Sequence, residues 1–219
     1  EAVPSGAFGV QPKMTIDGNA FDSDVLTGEG GGWQAARPLA PGLNGLVRTQ
    51  VDEHLLKPAP LPPMVDRLVS GMSVRHVCDP GSGATETQPV CEQRNLPDEC
   101  AAWQTVLEPD TTEPESGATA PVSIPPHCRR RVIVDLNQYF CAYSELAVTG
   151  GGGARVRVRW AESLFETPED TSFRKGDRDR IEGKFLRGAW DEYLPDGGEE
   201  RRFQPLWWRA GRYVELLVE

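Results

Sequence analysis

Four consecutive glycines, Gly150-Gly151-Gly152-Gly153, are followed at once by Ala154-Arg155-Val156-Arg157-Val158-Arg159-Trp160. The glycines supply a turn and open no helix, so they do not form a phosphate-binding loop. The run behind them alternates strictly. A period of two belongs to a strand, with Val156, Val158 and Trp160 on a buried face and three arginines on the other. This is the cleanest strand in the chain, and it commits the sequence around it to a sheet.

The neighbouring segments follow the same logic. Arg131 to Leu136, Tyr143 to Thr149, Phe185 to Leu194, Arg202 to Trp208 and Arg212 to Val218 read as further strands. Pro195-Asp196-Gly197-Gly198 and Ala210-Gly211 read as the turns that separate the last three. No run carries helical periodicity beyond one turn. The expected class is all-β, a jelly-roll-like antiparallel β-sandwich with an irregular N-terminal remnant. With 23 glycines and 19 prolines in 219 residues the chain is turn-rich. A hydrophobic share of 38% still supplies a core,. The formal charge of −10 opposes a nucleic-acid groove, which must neutralise phosphates,. No apolar run approaches the roughly 18 residues of a membrane span.

Residues 1–45 are Gly-rich and irregular and read as a leader or the tail of a preceding domain; 46–219 read as the sandwich. Leu55 to Met64 holds Pro58, Pro60, Pro62 and Pro63, which exclude a helix or central strand and mark an extended connector. From 65 to 78 a β-type pattern begins, with Val74, His76 and Cys78 on one face alongside Met72. Residues 79–128 read as a Cys-, Gly- and Pro-rich insert around the short apolar run Trp103 to Leu107. The chain begins at Glu1 and halts inside Leu216-Leu217-Val218-Glu219, as a piece of a longer protein would. Cys78, Cys91 and Cys100 lie where little core is available. A Cys78–Cys91 bridge would add about 3 kcal/mol by loop closure and would imply an oxidising, secreted or periplasmic setting. The competing reading is free thiols.

Chemistry-bearing patterns are sparse. Glu162/Glu166 and Asp191/Glu192 are paired carboxylates of the kind glycoside hydrolysis uses, yet they read as solvated surface. No G-x-S-x-G occurs, and His and Cys do not cluster in a nucleophile–base or zinc pattern. Asp17-Gly18-Asn19 with Asp22 and Asp24 departs from a calcium loop, leaving an Asx-type turn. The stripe Arg155, Arg157, Arg159 reads as a solvated face, with an anionic partner such as uronate-containing polysaccharide as the alternative. Trp190, Trp207 and Trp208 lie among acids and arginines, the combination that holds sugars. On one strand, Trp207 and Trp208 would point to opposite faces.

Several motifs in the last third belong together. Val134-Asp135-Leu136, the tetraglycine turn and Val156 to Trp160 closing on Ala161-Glu162-Ser163-Leu164 resemble the concanavalin-like β-sandwich of bacterial α-L-rhamnosidases. Lys175-Gly176-Asp177-Arg178 resembles the lysine–glycine–Asn/Asp–arginine segment of one subgroup of that family, and Asp191-Glu192-Tyr193 with Gly197-Gly198-Glu199 the strand and turn after it. Phe203-Gln204-Pro205-Leu206-Trp207-Trp208-Arg209-Ala210-Gly211-Arg212-Tyr213-Val214 resembles its closing strand. The strong part covers about 90 residues, and the insert at 79–128 has no family counterpart. The resemblance implies an inverting α-L-rhamnosidase as parent, with catalysis on a separate (α/α)6 barrel of the same polypeptide. This segment would then be non-catalytic, holding no metal and no cofactor. It would brace that barrel and contact rhamnose-containing glycan through Arg178, Glu182, Trp190, Asp191 and Trp208. An independent carbohydrate-binding module and a scaffold without ligand are the alternatives.

Overall fold

The computed structural model describes residues 13–21, 28, 31–37, 59–63, 65, 67–83, 85–107, 121–169 and 172–219. The chain forms two compact units, Glu1–Phe21 with Val69–Glu219, and Asp22–Leu68. In the smaller unit the described residues form turns and extended chain without a regular element. Asp22, Asp24, Leu55 to Pro58 and Met64 lie outside the described residues.

The larger unit is built from strands β1 (Thr15–Asp17), β2 (Ser73–Cys78), β3 (Arg130–Ala142), β4 (Leu146–Val148), β5 (Val156–Ala161), β6 (Trp190–Leu194), β7 (Arg201–Phe203) and β8 (Arg209–Val218). Six of them form one sheet in the order β1-β6-β5-β8-β3-β2, and β4 pairs with β7 in a second. All pairings are antiparallel except β1 with β6. The fold is all-β. Val156, Val158 and Trp160 of central β5 are buried as their alternation requires, in one cluster with Val77, Val132, Val134, Leu136 and Tyr193. Phe203 of the small sheet joins the cluster, stacked on Tyr193 with 5.3 Å between centroids. Each such apolar side chain contributes roughly 1.5–3 kcal/mol of burial.

The structure departs from sequence expectation in several places. Helix α1 spans Pro97–Leu107 inside the 79–128 insert, where only a loop was expected. Its start is locally encoded: Leu96 O accepts the first helical bond from Cys100 N, Pro97 occupies the first turn without needing a partner, and Asp98 and Glu99 complement the N-terminus,. Cys100, Trp103 and Leu107, at helical spacing, pack on the core. Gln104 accepts from Val74 N and donates to Met72 O, both at 2.8 Å, and so pairs the free edge of β2,. A bulge between Val74 and His76 breaks the expected common face. It sends Val77 into the core and leaves His76 and Cys78 on the other side. Ala210-Gly211 is not a turn but part of β8. A Cβ on Gly211 would lie 2.7 Å from Ala161 O, so the glycine permits close approach of β5. The five cysteines are free thiols, and no bridge joins Cys78 to Cys91.

The second face of the large sheet is also covered. Val90, Leu164, Ile181 and Leu186, from segments outside the strands, close over Ile133, Ala161 and Tyr213.

Candidate functional site

The arginine stripe lies beneath that cover. Arg159 and Arg131 are buried, and between them Glu215, 1% exposed, takes Arg131 at 2.7 Å and Arg159 at 3.5 Å. Glu86, in the 3-10 turn Thr85–Thr87, bridges Arg159 and Arg157, each at 2.9 Å. Glu219 then joins Arg157 to Arg129. The expected solvated face is instead largely covered by an ion-pair seam, because the 85–91 segment folds back over Arg131, Arg159 and Glu215, while Glu86 at its rim stays 46% exposed. Arg155 is also half in solvent, paired to Glu192 at 3.2 Å.

Two further acids are sealed in the same manner. Asp135 is wholly buried and held by Arg75 and by two bonds from Arg212. Burial would raise its carboxyl, but the Arg212 bonds, the Asn137 amide and Arg75 hold it below the usual carboxylate range. Asp191, at 0% exposure, takes both Arg209 Nε (2.8 Å) and Nη2 (2.5 Å) and the Met14 amide. The pair Asp191/Glu192 is therefore not solvated surface. Its two members face opposite sides of β6, one to Arg209 and one to Arg155.

Burial pushes the thiols of both Cys78 and Cys91 up to about 11, far from a thiolate at neutral pH. Burial also pulls His76 below its ordinary value. Among the described residues no group of three or more His, Cys, Asp or Glu side chains is arranged to hold a metal ion, and no helix is long and apolar enough to cross a membrane. Asp17 Oδ1 accepts from the Asn19 amide at 3.0 Å, an Asx turn.

A cleft of about 190 Å³ lies between the end of β5, the 187–189 segment and the start of β8. Its wall is built around Glu162, Phe165, Lys175, Arg187 and Arg209. Arg187 lies 3.8 Å and Lys175 Nζ 5.2 Å from the centre of the Phe165 ring, within cation–π range,. Arg187 donates to the carbonyls of Glu169 (2.6 Å) and Ser172 (2.7 Å). Glu162 receives Lys175 at 2.9 Å and Arg178 at 2.7 Å. Those two bonds, Lys175 first, keep its carboxyl below the usual range although the side chain is 47% exposed. The wall is narrow by construction: a Cβ on Gly188 would sit 1.8 Å from Trp160 O.

The residues singled out from sequence are distributed unevenly around this cleft. Arg178 is exposed and touches it through Glu162; its own carbonyl anchors the Tyr213 hydroxyl at 2.6 Å. Asp191 does not reach a ligand, because its carboxylate is spent on Arg209 and the Met14 amide, but it fixes a guanidinium of the wall. Trp190 is partly covered by Lys13, 4.1 Å from its ring. Glu182 is exposed in the turn after Ile181. Trp208 stacks on Trp207 with 6.1 Å between centroids. The two indoles do not point to opposite faces, because they sit in the bend between β7 and β8 rather than on a strand. Leu206 (85%), Tyr139 and Tyr143 are exposed. Phe165 and Arg187 carry no sequence signal as a site, and Lys175 carries one only through its family-like segment; the chain between β5 and β6 brings the three together.

No protein-family model matches the chain, and no curated protein matches it. Among solved structures, the crystal structure of the GH78 family rhamnosidase of Bacillus sp. GL1 is similar over 58% of this chain and 11% of that one, at 12% identity and a TM-score of 0.37. The chain thus spans about a tenth of that chain's length.

Proposed function

We propose that this chain is the accessory, non-catalytic β-sandwich of an α-L-rhamnosidase-like glycoside hydrolase. In this reading 46–219 is the sandwich module, it braces the (α/α)6 barrel of the same polypeptide, and its open end contacts rhamnose-containing glycan. One observation carries the reading. Residues from three separate family-like motifs, Trp160-Ala161-Glu162, Lys175 and Arg209-Ala210, line the same cleft. Motifs kept only for packing would be dispersed through the core. The Trp207–Trp208 stack, next to Arg209 in the chain, supplies the apolar platform that a sugar ring needs, and Arg178 supplies directional donors,. Trp190 and Glu182 fall to the interface with the barrel. The exposure of Leu206, Tyr139 and Tyr143 favours a second reading, in which this end meets protein instead of sugar,.

Calorimetry of the chain with rhamnose and with rhamnogalacturonan tests both. Saturable binding that disappears in Trp208→Ala, with unchanged thermal stability, is the expected result. Absence of binding would leave bracing alone, and turnover of an aryl rhamnoside by the chain would overturn the non-catalytic reading.

A further inference from the structure

We propose that Lys184 is a positioning residue: its buried ammonium holds the 175–178 loop so that Lys175 and Arg178 meet on Glu162 at the cleft. That the group so placed serves glycan binding rests on the reading above; that Lys184 places it rests on the geometry alone.

Lys184 is buried, although lysine is among the residues least often found inside a fold,. Its Nζ donates to Lys175 O at 2.6 Å and to Asp177 O, two carbonyls of the same short loop. An ammonium taken out of water is costly unless such acceptors replace its hydration. Methionine would fill the space without that cost, so packing alone does not account for a lysine here. The base of the side chain is fixed. Lys184 N donates to Ile181 O at 3.1 Å, Lys184 O accepts from Val90 N at 2.7 Å, and Ile181 and Leu186 are core residues. The cation is therefore a fixed point to which the loop is tied. With the Lys175 and Asp177 carbonyls given to Nζ, the side chains of Lys175 and Arg178 reach opposite oxygens of the Glu162 carboxylate, at 2.9 and 2.7 Å. Gly176 lies between the two bonded carbonyls at a φ of 55°, and a Cβ there would stand 2.5 Å from Glu166 Oε1. Only glycine lets the chain turn in on the ammonium at this point. The far half of the loop has its own anchors, the Tyr213 hydroxyl on Arg178 O at 2.6 Å and Arg212 on Asp179. Lys184 governs the near half. Exposed ion pairs hold one geometry poorly by themselves, and Glu162 and Arg178 are 47% and 60% exposed. The buried cation supplies the rigidity that the exposed group lacks, and preorganised contacts lose little freedom on binding.

The test follows the Glu162 carboxyl by carbon NMR titration of the full chain. Lys175 and Arg178 hold it low in the parent. Lys184→Met should let it rise to the ordinary glutamate value of about 4.3, and calorimetry should show affinity for rhamnogalacturonan falling about fivefold or more. In Lys184→Ala, propylammonium replaces the missing side chain and should return both readings toward the parent. Tetramethylammonium, which has no N–H to donate, should return neither. A Glu162 titration unmoved by Lys184→Met overturns the proposal, as does rescue by tetramethylammonium. Collapse of the whole sheet in Lys184→Met, seen as loss of amide protection in β5 and β8, also overturns it, because Lys184 would then hold the fold and not the loop. If the parent chain binds no glycan, the functional reading above fails while the Glu162 titration still decides this inference. If glycan binds the parent but Lys184→Met leaves Glu162 unmoved, the inference fails and that reading stands.

Discussion

Glu215 and Glu162 each sit between two cations, yet one is sealed and the other open. Glu215 lies under the 85–91 segment between Arg131 and Arg159, at 1% exposure. Glu162 lies at the mouth of a cleft between Lys175 and Arg178, at 47% exposure. Two charges without water must be paired or the fold loses several kcal/mol. Two charges in water gain little from each other and can exchange partners. The first arrangement can only be architecture, whereas the second can do business with a ligand.

The contrast breaks most sharply at the sealed end. Glu215→Ala removes the carboxylate that buried Arg131 holds at 2.7 Å and leaves Arg159 with Glu86 alone, and urea unfolding should show a loss of about 3–5 kcal/mol. A loss below about 1 kcal/mol would mean that water enters the seam and that the two sites are alike. Next in size is Gly188→Ala, which places a methyl group against Trp160 O at the cleft wall. About 1–3 kcal/mol of destabilisation is expected, together with weaker ligand binding; an unchanged midpoint would show that the wall yields.

Acid sharpens the comparison further. His76 is held neutral by burial, so the unfolded chain binds a proton that the folded chain refuses. Stability is complete above the ordinary histidine value of about 6.5 and declines as pH falls below it,. Asp135 is held low against its burial chiefly by Arg212, and Glu86 by a backbone amide and then Arg159 and Arg157, so their contribution is present above the ordinary carboxylate values and is lost as pH falls further. Thermal unfolding across pH 7 to 3 should therefore show two stages of loss, and His76→Gln should remove the upper one. A single stage in the parent chain would place the His76 ring in contact with solvent. The smallest effect belongs to the open site. Glu162→Gln should change stability by less than about 1 kcal/mol; a loss as large as that of Glu215→Ala would erase the distinction.

Much of the sheet was legible because β5 writes its faces in a period of two, and Val156, Val158 and Trp160 lie where that period puts them. Helix α1 was missed although its signals were present. Pro97, Asp98 and Glu99 mark a start and Cys100, Trp103 and Leu107 a stripe, but glycine- and proline-rich chain on both sides masked them. Ala210-Gly211 was misread because glycine signals a turn and a close approach equally well. The arginines of β5 were assigned to solvent by their type, since nothing in a strand's own residues reports that a distant segment will fold over them. The Trp207–Trp208 stack was misplaced for a related reason: facing is a property of strands, and the doublet sits in a bend.

The sequence by itself determined the all-β class, the two faces of the central strand and the turn that introduces it, because these follow from periods and backbone freedom within a few residues. Only the tertiary structure decided which charges are sealed and which are open. Burial is a property of what packs above a side chain, and here Glu86, Lys175 and Arg187 come from segments whose positions no local period encodes.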